Sequence, residues 1–152
     1  MQWQPEQKTT LKRHLNAVQP AARQMLAVLL EEYDSLYQRE APSPELLTRK
    51  ADAAQALETL YAEFRQFRDT LPTDDLPATL KADGESELLS RWLAAEATLQ
   101  QCDYHNEVNG RLLNRLHVKN RLFSRVMNNQ TDPIYSRHGQ LDESRRGVLG
   151  SA

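Results

Sequence analysis

Residues 86–128 read SELLSRWLAAEATLQQCDYHNEVNGRLLNRLHVKNRLFSRVMN, a run with no proline and a single glycine. Its apolar residues Leu89, Trp92, Leu99, Cys102, Leu113, Leu116, Phe123 and Met127 recur at three-, four- and seven-residue multiples. That spacing puts them on one stripe of a long amphipathic helix or coiled-coil strand. At ~1.5 Å per residue such a helix extends roughly 60 Å, more than a compact domain of this mass needs.

Working outward, proline-punctuated segments divide the rest of the chain. Thr9 or Thr10 can cap a first helix over about 9–41, with Leu11, Leu15 and Val18 opening its apolar face. Pro20 predicts a break or kink in it, because an interior proline removes a hydrogen bond and costs about 3 kcal/mol. Ser43-Pro44-Glu45 is a helix start: a capping hydroxyl, a proline where no N–H is needed, and an acid at the positive end of the helix dipole. The second helix then covers about 44–71, antiparallel to the first across a short turn. Residues 72–85, PTDDLPATLKADGE, read as a linker; Asp74, Asp75 and Asp83 lack the spacing of a cation-binding loop. The long helix returns antiparallel to the second and, being longer, overruns it by about ten residues or more, near Leu112 to Met127. An apolar stripe left over there marks a protein-binding surface or a self-association seam.

The expected fold is therefore all-α, an antiparallel coiled-coil-like bundle of three long helices over residues 1–128, the third the longest. Beyond it, 129–152 is expected to be a flexible, disordered tail. A chain of 152 residues with 5 glycines suits few connections and one domain. No apolar run is long enough to insert in a membrane, and the first residues lack a signal-peptide core, so a cytoplasmic location is expected. The single cysteine agrees with that compartment.

The net charge of −2 hides a division. Residues 1–103 hold 11 Lys+Arg against 17 Asp+Glu, and residues 104–152 hold 8 against 4. Arg111, Arg115 and Lys119 form one basic row on the long helix, suited to steering a partner; no aromatic residues interleave with it, which argues against a nucleic-acid surface. No catalytic constellation assembles. Cys102 and His105 share a helix face, yet without a second cysteine they make neither a metal site nor an activated nucleophile, and no phosphate-binding loop occurs. No enzyme, metal or cofactor is expected. Asn109, followed by Gly110, is doubly unfavourable for a helix interior, which points to a close helix crossing or a partner contact at that spot.

Residues 105–140, HNEVNGRLLNRLHVKNRLFSRVMNNQTDPIYSRHGQ, resemble the carboxyl-terminal signature of FlgN, the flagellar type III export chaperone family. Asn109-Gly110 opens a block of the form NG-x-LL, a helical stretch rich in Arg, Asn and Leu follows, and Tyr135 to Gly139 supply a Tyr-x-x-x-Gly element. The resemblance implies a cytosolic chaperone without ATPase activity. It would bind the carboxyl-terminal segments of the hook–filament junction proteins FlgK and FlgL and deliver them to the export gate protein FlhA. Client-binding residues would be Asn109, Gly110, Leu112, Leu113, Leu116, Asn120, Phe123 and Met127, with Arg111, Arg115 and Lys119 steering and Tyr135 docking the gate. The alternatives are a self-associating coiled-coil adaptor, weakly homodimeric through the same seam, and, further off, a nucleic-acid-binding regulator.

Overall fold

The computed structural model describes residues 2–129, with side chains through Met127. The expected tail, with Tyr135 in it, lies outside the described residues. Four helices follow one another: α1 (Pro5–Tyr37), α2 (Pro44–Arg68), α3 (Leu76–Ala82) and α4 (Ser86–Asn129). Among the described residues there is no strand. The chain divides into two compact units, one from Met1 to Arg111 and one beginning at Leu112.

In the first unit, α1 starts four residues before the expected Thr9. Pro5 occupies the first turn, where its missing N–H costs nothing, and the Gln7 carboxamide accepts the Gln4 N–H at 3.0 Å. Of the expected break or kink, the break is not made: α1 is one continuous helix through Pro20. Leu11, Leu15 and Val18 before the proline and Ala22, Met25, Val28 and Leu29 after it are all buried, so packing on both sides holds the two halves in one helix. Tyr37 rather than residue 41 ends α1. Arg39 takes the left-handed conformation (φ 63°), its N–H bonding the Leu36 carbonyl and that of Glu40 the Ser35 carbonyl. Those paired bonds close the last turn in the Schellman manner, with arginine where glycine is usual.

The start of α2 matches the expectation: Ser43 Oγ accepts the Leu46 N–H at 3.1 Å and Pro44 opens the helix. Its end does not, since Arg68 replaces residue 71. The segment read as a linker holds α3, which raises the helix count from three to four. Asp75 caps it by accepting the Ala78 N–H at 3.0 Å, and Leu76 and Leu80, one turn apart, are buried. Gly84 (φ 76°) then reverses the chain into α4, a position where a Cβ would be strained.

Contacts fix the helix directions. Glu31 pairs with Arg49 while His14 meets Phe64 and Phe67, so α1 and α2 are antiparallel. Lys8 pairs with Glu85, Arg91 donates to Asn16, Gln19 to Thr98, and Asn109 to Leu29, so the α1 and α4 numbers rise together and these helices are parallel. The main core joins Leu11, Leu15 and Val18 of α1 with Phe64, Leu76, Leu80, Leu88 and Ala95, and a smaller cluster gathers Met25, Leu29, Ala53 and Cys102.

Candidate functional site

Helix α4 buries every seventh residue through the first unit: Leu88, Ala95, Cys102 and Asn109. Three of these are small, which lets α4 lie close to its neighbours. Cys102 donates its S–H to the Ala22 carbonyl at 3.3 Å; burial, and then the Asp103 carboxylate, pushes its thiol pKa up, away from thiolate chemistry. His105 turns to aromatic neighbours instead, edge-on to Tyr33 and Tyr104 at centroid distances of 6.2 and 5.2 Å.

The last of the series ends in a polar junction of three helices. Asn109, 1% exposed, donates Nδ2–H to the Leu29 carbonyl (2.8 Å) and to Glu32 Oε1 (2.9 Å). Glu32, 2% exposed, also receives Lys50 Nζ at 2.8 and 3.0 Å. A carboxylate from α1, an ammonium from α2 and an amide from α4 thus meet inside the bundle. Two acceptors around Nδ2 fix the amide's orientation, since the flipped group would set its oxygen against both. This corrects one expectation: Asn109 is spent on its own bundle and presents nothing to a partner. Sequence reasoning missed Glu32 and Lys50 altogether, because an acid in an apolar stripe and an isolated lysine carry no signal of each other.

Gly110 is exposed, and a Cβ placed there would meet nothing within 4 Å, so no helix among the described residues packs against it. In the second unit, Leu112, Leu113 and Leu116 are half-buried, while every described residue from His117 to Met127 is exposed. Phe123 is 65% exposed, Val126 60%, Leu122 53% and Met127 48%. At 3.6 residues per turn, Leu112, Leu116, Phe123, Val126 and Met127 fall within an arc of about 100°. Lys119 lies inside that arc, Leu113 and Asn120 flank one margin, and Arg115 and Leu122 flank the other. Val118, Leu122 and Val126 extend the apolar surface beyond the residues singled out in the sequence. Of the basic row, Arg111 is held by Glu107 one turn back at 2.7 Å, and Arg115 and Lys119 are exposed.

Such an arrangement is a helical bundle locked by a buried polar junction and continued by an amphipathic helix with an exposed apolar side. A family model described as FlgN protein matches residues 1–143, and the chain belongs to the FlgN family, the flagellar export chaperones. No curated protein and no solved structure matches the chain. No described helix is long and apolar enough to cross a membrane, and among the described residues no three His, Cys, Asp or Glu side chains group as metal ligands.

Proposed function

We propose that this chain works in the cytoplasm as the chaperone of the hook-associated proteins FlgK and FlgL. It holds their carboxyl-terminal helical segments before export, without a chemical step or a cofactor. The observation that carries the reading is the exposure of Phe123, Val126 and Met127 on a helix whose earlier heptad positions are buried. A client helix laid along that side covers the apolar arc in the helix-in-groove manner, and Lys119 within the arc and Arg115 at its margin orient an acidic client more than they tighten it. Delivery to the export gate protein FlhA is assigned to Tyr135, a residue outside the client-holding stretch of the sequence.

Titration calorimetry of the purified chain against FlgK and FlgL carboxyl-terminal fragments tests this directly. Saturable binding at about micromolar affinity or tighter is expected; folded fragments that give no heat with monodisperse protein overturn the client assignment. Tyr135→Ala is expected to leave fragment affinity unchanged and to weaken binding to the FlhA cytosolic domain. Equal losses at both partners would erase the division of labour.

A further inference from the structure

The pair Asn109-Gly110 carries a chemistry of its own. It is the only Asn-Gly pair in the chain, and packing does not account for its second member. Gly110 lies inside α4, where glycine is unfavourable, and a Cβ placed there would meet nothing within 4 Å. In an open chain, asparagine before glycine readily loses its side-chain amide. Glycine leaves the next backbone nitrogen unshielded and free to turn toward the amide carbon.

We propose that Asn109 is a deamidation site that the folded bundle protects, so that a chain whose buried junction has opened is altered irreversibly. In the step, the Gly110 nitrogen gives up its proton and bonds Asn109 Cγ, and Nδ2 leaves with that proton as ammonia. Water then opens the cyclic imide to an aspartate or an isoaspartate at position 109.

The closed bundle opposes each part of this step. As an interior residue of α4, Gly110 gives its N–H to the carbonyl one turn back, which turns the nitrogen along the helix axis. The leaving nitrogen is held on α1 by the Leu29 carbonyl at 2.8 Å and Glu32 Oε1 at 2.9 Å. Negative charge collecting on Asn109 Oδ1 during attack meets no donor among the described residues, and it has the Glu32 carboxylate close by. At 1% exposure, Asn109 is also kept from the water that the second half of the step consumes.

The product undoes the junction. Where an amide donated to Glu32, a carboxylate faces a carboxylate inside the bundle. Lys50, already on Glu32 at 2.8 and 3.0 Å, is then one cation for two anions. An isoaspartate also lengthens the backbone by a methylene, which breaks the hydrogen-bond ladder of α4. A reversible opening thus becomes a permanent one, and chains that have kept the bundle closed are separated from those that have not.

Peptide mass mapping provides the test, on the full chain held in warm, mildly alkaline buffer with and without urea above the unfolding midpoint. Reaction through an open state runs in proportion to its population, so loss of the Asn109 amide should be at least ~100-fold slower without urea. Lys50→Met keeps the Asn-Gly pair but loosens the junction; it should raise the rate in buffer about 100-fold and leave the rate in urea unchanged. Gly110→Ala should slow the reaction in urea. Asn109→Asp, which supplies the product without the step, should lower the urea midpoint more than Asn109→Ala, which removes the amide and adds no charge. Equal wild-type rates with and without urea overturn the proposal, and that comparison stands even where a variant fails to fold. So does a Lys50→Met rate in buffer no higher than that of wild type, or an Asn109→Asp midpoint no lower than that of Asn109→Ala.

Discussion

One heptad series on α4 meets two environments. Leu88, Ala95, Cys102 and Asn109 are buried; Leu116 and Phe123, the next two members, are half-buried and 65% exposed. The chemistry changes along with the exposure. Inside the bundle the series becomes smaller and then polar, ending on an amide that bonds Leu29 and Glu32. Outside it the series returns to leucine and phenylalanine, the residues most costly to leave in water. A helix that needed only to complete its own bundle would show the opposite order. The buried part is built for register, and the open part is the side on which the proposed client would lie.

The largest expected effect tests the open part. Phe123→Asp with Met127→Asp should weaken FlgK-fragment binding at least ~100-fold, since central aromatic and apolar anchors each contribute about 2 kcal/mol or more. Stability to urea should change by no more than about 0.5 kcal/mol, as for exposed positions generally. Loss of the fold instead would make these side chains structural and break the contrast.

The buried part should respond in the opposite sense. Lys50→Met leaves the Glu32 carboxylate, 2% exposed, with only the Asn109 amide. A cost of about 3 kcal/mol is expected in urea denaturation, the low end for a broken buried pair because Lys50 is half-exposed. Asn109→Ala should cost about 1–3 kcal/mol by taking one hydrogen bond each from the Leu29 carbonyl and from Glu32 Oε1, which keeps Lys50 Nζ. Glu32→Leu, Lys50→Met and Asn109→Leu together should recover most of the loss, because an apolar junction needs no compensation. If the triple variant stayed as unstable as Lys50→Met, packing rather than the unpaired charge would set the cost.

How far the sequence could be read follows the same division. Heptad spacing placed the long helix, which starts at the expected Ser86 and is helical to the last described residue. Ser43-Pro44 marked α2 because the cap is local chemistry, readable without knowing what α2 packs on. The misses have tertiary causes. Pro20 signals a break locally, and only burial on both sides of it overrides that signal. The α3 turn carries its own cap at Asp75 and a Leu76/Leu80 pair, but two prolines nearby disguised a helix of 7 residues. Asn109 was conspicuous as a poor helix former, yet whether it faces a partner or its own bundle depends on Glu32, 77 positions away.

Gly110 sits at the boundary between the two regions, and replacing it sharpens where the boundary falls. Glycine within a helix costs about 1 kcal/mol relative to alanine, and no neighbour in the chain requires it, since an added Cβ meets nothing within 4 Å. Gly110→Ala should therefore raise stability by about that amount. A client backbone approaching there would lose affinity about tenfold. Greater stability with unchanged client affinity would remove Gly110 from the client surface and move the boundary on to Leu112.

The smallest effect belongs to the opposite end of the bundle. His14 stacks on Phe67 at 5.2 Å and meets Phe64 edge-on at 6.0 Å. Burial, aided by Arg13 and opposed by Glu63, holds its pKa below the ordinary histidine value. The unfolded chain then takes up this proton more readily than the folded one. Stability from the neutral ring is present above about pH 6.5 and is lost as the pH falls from there through the lowered folded value. Urea midpoints at about pH 7.5 and 5.5 should differ in the wild type, and the difference should shrink in His14→Phe, which keeps a ring against Phe67 and cannot take a proton. An unchanged difference would assign the acid sensitivity to other groups and leave the aromatic stack as packing alone.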